Sequence, residues 1–163
     1  MKANISRFAA VHDSGGDLDA MVVDAAKRAG AHDVIQRFAN GYDTMLTIRE
    51  AGGLSAGQRQ LVSLARALFG GPSLLLLDEP NAHLDANGEA MLMNTLSALR
   101  AQGATIVVST HRNSLLQVAD RMVVLRDGVI EAVNERPPSA GAAGGVPGGV
   151  VTSLASVKPE ARK

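Results

Sequence analysis

The sequence predicts an α/β fold with a mostly parallel sheet, and three observations carry that reading. Leu74-Leu75-Leu76-Leu77 is a continuous apolar run of strand length, as expected of a strand covered on both faces. Thr105-Ile106-Val107-Val108-Ser109 is a second such run. Between and before them lie segments whose apolar residues recur every three or four positions, which is the helical period. The order helix, strand, helix, strand, helix, hairpin then implies right-handed crossovers between parallel strands.

The elements follow in order. Met1 to Val11 is short and mixed, and gives no clear element. Ser14-Gly15-Gly16-Asp17 reads as a turn, with Asp17 or Asp19 as the cap of a helix running to about Ala29. Leu18, Met21, Val22, Ala25 and Ala29 form its apolar stripe, and Gly30 ends it. A short helix carries Val34, Ile35 and Phe38 and stops at Asn40-Gly41. Tyr42 to Glu50 reads as irregular or weakly extended, and Gly52-Gly53 as a joint. Gln58 to Phe69 is helical, with Leu61, Leu64, Ala65 and Leu68 on one face and Gly70-Gly71-Pro72 as its stop. The first strand follows. A helix from Asn87 to Ala101 then leads into the second strand, and a short helix spans Asn113 to Val118. Met122–Leu125 and Val129–Val133 flank Asp127-Gly128, a hairpin signal. From Glu135 onward Pro137-Pro138 and a Gly/Ala/Pro stretch lack the residues of a core, so 135–163 is expected to be a disordered tail.

Composition narrows the function. With 16 basic and 16 acidic residues the formal net charge is zero, which argues against a protein that mainly neutralises nucleic-acid phosphates. There is no cysteine, so thiolate metal sites and disulfides are excluded. Aromatic residues are too few for base-stacking platforms. No apolar run approaches the ~20 residues of a membrane-spanning helix, and the N-terminal residues lack a signal-peptide core.

Two motifs carry chemistry. In Leu54-Ser55-Ala56-Gly57-Gln58, Ser55 stands where a helix N-cap belongs. The hydroxyl, the free amides of the first turn and the positive helix end make an anion site, and Gly57 allows close approach to the backbone. In Leu77-Asp78-Glu79 a strand delivers two carboxylates to the carboxyl edge of the sheet, where α/β proteins place their sites. One can hold Mg²⁺ and the other can orient an attacking water. Each motif alone is also compatible with an ordinary capped helix or a turn after a core strand.

Together the segments resemble the nucleotide-binding domain of ABC transporters. Leu54-Ser55-Ala56-Gly57-Gln58 is similar to that family's signature, usually Leu-Ser-Gly-Gly-Gln, with Ala56 departing at the middle position. Asp78 matches the Walker B aspartate and Glu79 the catalytic glutamate. Asn81-Ala82-His83-Leu84-Asp85 looks like the D-loop, with Ala82 where Ser is common, and Ser109-Thr110-His111-Arg112 looks like the switch-histidine region. The wording from Asn4-Ile5-Ser6-Arg7-Phe8 through Asp85 looks closest to type I protein-secretion exporters.

The resemblance implies a fold and a set of roles. The fold would be the helical subdomain plus the C-terminal part of a P-loop NTPase (RecA-like) core. Residues 1–134 would be a partial nucleotide-binding domain: 1–70 the helical subdomain and 71–134 the core. Ser55, Gly57 and Gln58 would touch the terminal phosphate of ATP held by a second nucleotide-binding domain. Asp78 would hold Mg²⁺ through water, Glu79 would polarise the attacking water, and His111 would sense the phosphate. Asp85 would couple the two sites of a dimer. Transmembrane domains would be the other partners, placing the chain at the cytoplasmic face of the membrane. His12, His32 and His83 show no ligand spacing and read as surface residues, and Arg59 and Arg66 read as solvating the outer face of the signature helix.

One expected part is absent from the sequence. A phosphate loop has the pattern Gly-x-x-x-x-Gly-Lys-Ser/Thr, and none of Lys2, Lys27, Lys158 and Lys163 follows a glycine. Gly52 to Arg59 has the two glycines at the right spacing, but Gln58 and Arg59 replace the cation and the hydroxyl. The chain thus reads as the C-terminal half of a nucleotide-binding domain, inactive alone. Its strands are expected to have exposed edges and faces, with marginal stability. The alternatives left open are a non-catalytic remnant and an adapter that pairs with an intact transporter subunit.

Overall fold

The computed structural model describes residues 1–9, 17–46, 53–116, 119–135 and 150–152. Its chain divides into two compact units, Met1–Pro72 with Asn81–Ser97, and Ser73–Pro80 with Ala98–Lys163. Asn81–Ser97, expected with the core, therefore groups with the first unit.

The first unit is helical. Lys2–Ile5 forms a one-turn helix, α1, that the mixed composition of this stretch did not suggest. It is held by tertiary contact: Ile5 is fully buried, and the Arg7 guanidinium donates to the carbonyls of Arg66 and Ala67, each at 3.1 Å. Those carbonyls lie in the last turn of α4 (Ala56–Leu68), where helices lack internal donors and favour a cation. Arg66 in turn donates to the carbonyl of Asn4. It ties α4 to the segment ahead of it, a correction to its expected role as a solvating side chain.

Helix α2 (Leu18–Ala29) begins as expected, with Asp17 accepting a hydrogen bond from the Asp19 amide at 3.0 Å. It ends at Gly30, whose φ of 74° suits glycine. Its buried residues are Leu18, Val22, Ala25, Ala26 and Ala29, and it packs on α4 through Val62, Leu64, Ala65 and Leu68. The Thr95 hydroxyl donates to the carbonyl of Arg28 at 2.6 Å, anchoring the first part of α5 (Ala86–Ala101) to the end of α2. Helix α3 (His32–Gln36) and a 3-10 turn (Gly41–Asp43) follow α2. His32 is half-buried, with Nδ1 2.8 Å from the Tyr42 hydroxyl, so it is not the free surface residue expected. A short α3 must bring its first residue against the next turn, and burial pushes the Tyr42 hydroxyl pKa up. His12, Ser14–Gly16, Leu46–Glu50 beyond Leu46 itself, and Gly52 lie outside the described residues.

The second unit is a five-stranded sheet in the order β1-β2-β5-β3-β4. Strand β1 (Leu74–Asp78) runs parallel to β2 (Thr105–Ser109), with Asp78 opposite Ser109. Helix α6 (Asn113–Leu116) leads to β3 (Arg121–Arg126) and β4 (Val129–Glu135), an antiparallel hairpin. Its turn residues Asp127 and Gly128 have φ of 50° and 78°, the mirror-image turn that matches strand twist. The core of this unit holds Leu75, Leu99, Ile106, Val108 and Leu115.

Two expectations are corrected here. Strand β1 is not covered on both faces, although its apolar run alone suggested so; it lies at a sheet edge with Leu74 and Leu76 on one face 55% and 68% exposed, as expected of a partial domain. Val150–Thr152, expected within a disordered tail, forms β5 in the middle of the sheet. Two β-branched valines and a threonine favour extended backbone, and strands on both sides supply their hydrogen-bond partners. The rest of that tail, 136–149 and 153–163, lies outside the described residues.

Candidate functional site

The site residues fall into two groups, one in each unit. In the first unit Ser55 caps α4. Its Oγ accepts from the Gln58 amide at 3.1 Å, and Gln58 Oε1 accepts from the Ser55 amide at 2.9 Å, completing a capping box. Leu54 is buried and anchors the turn, and Arg59 donates to its carbonyl at 2.6 Å. Arg59 thus braces the signature turn rather than only solvating the helix. Ser55 is exposed, and its hydroxyl keeps a hydrogen to donate. The amides of Ala56 and Gly57 precede the first intrahelical bond, from Arg59 to the Ser55 carbonyl, so they face outward at the positive helix end.

Gly57 has a reason the sequence did not show. A Cβ placed there would stand 2.5 Å from the carbonyl oxygen of His83, far inside contact distance. The D-loop backbone therefore sits directly on the signature turn. His83 is exposed as expected and has a φ of 62°, a costly conformation for a residue with a Cβ. Asp85 caps α5, its Oδ1 accepting from the Gly88 amide at 2.7 Å. Asn81, fully buried, donates from Nδ2 to Glu89 Oε1 at 3.3 Å and ties the D-loop to α5. Its signal in the sequence was only an amide between a proline and a helix start.

In the second unit the strand ends converge. Glu79 follows β1, and its amide donates to the Ser109 carbonyl at the end of β2 at 2.8 Å. This extends the β1–β2 ladder one step and holds Glu79 at a φ of 44°. Its Oε1 lies 2.8 Å from His111 Nδ1. Its Oε2 accepts from the Thr110 hydroxyl at 3.5 Å. Thr110 is fully buried and also accepts from the Arg112 amide at 3.1 Å, so it fixes the turn that presents His111. Sequence reasoning quoted Thr110 only as part of a motif; a buried hydroxyl at a strand end was the available signal. Asp78 is exposed at the same carboxyl edge. The structure thus brings together Asp78, Glu79 and His111, and separately Ser55, Gly57 and Gln58 with the D-loop that carries Asp85.

Among the described residues no three His, Cys, Asp or Glu side chains gather into a metal-binding group. Among the described residues no helix is long and apolar enough to cross a membrane.

Parallel strands that deliver paired carboxylates and a histidine to one sheet edge, and a capped glycine-bearing helix, are consistent with a partial P-loop NTPase domain. The sequence profile described as ABC transporter matches residues 3–82. The chain belongs to that family. It is 45% identical over 130 residues to the type I secretion system ATP-binding protein PrsD of Rhizobium meliloti (strain 1021), covering 79% of this chain and 21% of that protein. It is 40% identical over 109 residues to the alpha-hemolysin translocation ATP-binding protein HlyB of Proteus vulgaris, covering 67% of this chain and 15% of that protein. Among solved structures, a bacterial Atm1-family ABC exporter with ATP bound is similar at a TM-score of 0.69 and 33% identity, over 82% of this chain and 22% of that one. The chain spans about a fifth of the length of the curated relatives it matches.

Proposed function

We propose that this chain is part of the ATP-hydrolysing subunit of an ABC exporter of the type I secretion kind, working at the cytoplasmic face of a membrane. Its partners would be a second nucleotide-binding domain and transmembrane domains. The observation that carries the reading is the 2.8 Å Glu79–His111 pair at the carboxyl ends of two parallel strands, next to Asp78. A carboxylate fixed by a histidine and a buried threonine is placed to orient water and accept its proton. Asp78 is the residue that would hold Mg²⁺, whose charge would offset that of the phosphates. With Nδ1–H directed at Glu79, His111 Nε2 would donate to a phosphate oxygen in the imidazolium form. The Ser55 hydroxyl and the first-turn amides of Ala56 and Gly57 would donate to the terminal phosphate of ATP bound by the partner. Asp85, by fixing the start of α5, would hold the D-loop that couples one site to the other.

The sequence contains no lysine-bearing phosphate loop, so we propose that the chain does not turn over ATP alone. That same observation favours the second reading, a non-catalytic remnant or an adapter for an intact subunit. ATP hydrolysis by an intact, purified ABC nucleotide-binding subunit, measured with and without this chain, separates the two. Under the first reading added chain changes turnover, and Ser55→Arg removes the effect. No change at any ratio rejects the first reading in favour of a non-catalytic remnant, and a change that survives Ser55→Arg favours an adapter.

A further inference from the structure

Strand β1 ends the sheet, and among the described residues no strand pairs with its outer side. The ladder shows which groups that leaves. The Thr105 amide donates to the Ser73 carbonyl, and the Glu79 amide to the Ser109 carbonyl. Backbone groups alternate in direction along a strand. The odd-numbered residues of β1 therefore face β2, and Leu74, Leu76 and Asp78 turn their amides and carbonyls outward. Leu74 and Leu76 are also the exposed apolar side chains of this strand. Proteins blunt such an edge with lysine, proline or a bulge. Leu74–Leu77 has no charge and no proline, and its register with β2 is unbroken. The opposite edge is guarded: β4 sets Glu131, paired with Arg126 at 2.9 Å, among its exposed valines.

We propose that the outer edge of β1 is a pairing surface, and that its partner is β1 of a second copy of this chain, laid antiparallel about a two-fold axis at Leu75. Face and register select that axis. A continued sheet keeps its faces only when even-numbered residues stand opposite even-numbered ones. An axis at Leu75 sets Leu74 opposite the second copy's Leu76 twice over, each pair exchanging two backbone hydrogen bonds. The four leucines then adjoin on one face. An axis at Leu76 would instead set Leu74 against the second copy's Asp78, a carboxylate against an apolar side chain. Charge and symmetry favour a second copy as the occupant. The formal net charge is zero, so no long-range repulsion holds two copies apart. A two-fold contact also closes as a dimer, whereas β1 on β4 would propagate as an open chain. Antiparallel pairing points the two Asp78 ends in opposite directions, so the inference holds whatever reaction the carboxylates serve.

Sedimentation of the full chain at rising concentration tests it. The natural sequence should pass from monomer to dimer and stop there. Leu76→Lys charges a side chain that is already exposed and should abolish the dimer, while Ile130→Lys, on the opposite edge strand, should leave it intact. A monomer at every concentration, even one that binds an intact nucleotide-binding subunit, overturns the proposal. So does a series of species beyond the dimer, or a dimer that survives Leu76→Lys. Cysteines test the register, because the chain has none of its own. A Leu74→Cys chain mixed with a Leu76→Cys chain should form a mixed disulfide under mild oxidation, since paired Cα atoms lie about 5.5 Å apart. Either variant alone sets its two thiols on the diagonal, about 7–8 Å apart, and should bridge far more slowly. Bridging by one variant alone as fast as by the mixture, or no mixed bridge, overturns the proposal.

Discussion

The two groups of site residues are built in opposite ways. Around Ser55 the polar groups are engaged with backbone: Ser55 and Gln58 close a capping box, Asp85 caps α5, and Gly57 makes room for the His83 carbonyl. Around Glu79 the contacts join one side chain to another at the exposed end of a sheet, with a carboxylate against an imidazole and a hydroxyl. In the proposed role the first group would meet a phosphate through donors that the helix end leaves unused, so its chemistry and its stability would share the same atoms. The second is expected to contribute less to stability, and under the proposed function it is the group that serves proton transfer. Substitutions should therefore separate the two regions by what they damage.

The largest effect on stability is expected at Gly57. Gly57→Val puts a branched side chain against the His83 carbonyl and should lower stability by about 2–3 kcal/mol, read as a fall in the denaturant midpoint. A change within about 0.5 kcal/mol would mean that the D-loop does not rest on the signature turn. Next come the caps. Ser55→Ala and Asp85→Ala should each cost about 1 kcal/mol, while Ser55→Gly costs only a few tenths. An alanine as mild as the glycine at position 55 would remove the capping box from the account. The smallest effect is expected at the carboxylate cluster. His111→Ala should shift stability by less than about 1 kcal/mol, because that side chain is 72% exposed, and Glu79→Gln, at a side chain 34% exposed, by about 1 kcal/mol. A loss of about 3 kcal/mol at either residue would make the cluster structural and erase the contrast.

Much of this was legible in the sequence where the cause is local. The Asp17 and Ser55 caps, the Gly30 stop, the two apolar strands and the Asp127-Gly128 hairpin each depend on a few adjacent residues, and each stands where the pattern put it. The convergence of Asp78, Glu79 and His111 followed from the rule that parallel strands present their carboxyl ends together. What was not legible depends on residues distant in the chain. Helix α1 exists because Arg7 reaches α4, some sixty positions away. His32 meets Tyr42 through the path of a turn, and Gly57 meets His83 through the packing of the D-loop. The Val150–Thr152 strand has no composition around it to announce a sheet; only the gap between β2 and β3 does. The exposure of Leu74 and Leu76 is invisible in the apolar run itself, and was legible only through the missing phosphate loop, which implied exposed strand edges and faces.

The central proposal is that the carboxylate cluster serves ATP hydrolysis only together with a phosphate loop from elsewhere, because no lysine of this sequence follows a glycine. The measurement that tests it most directly is ATP turnover by the purified chain with Mg²⁺, beside its Glu79→Gln variant. The account predicts equal, background rates for both. Turnover above background in the natural sequence, abolished by Glu79→Gln, would contradict it.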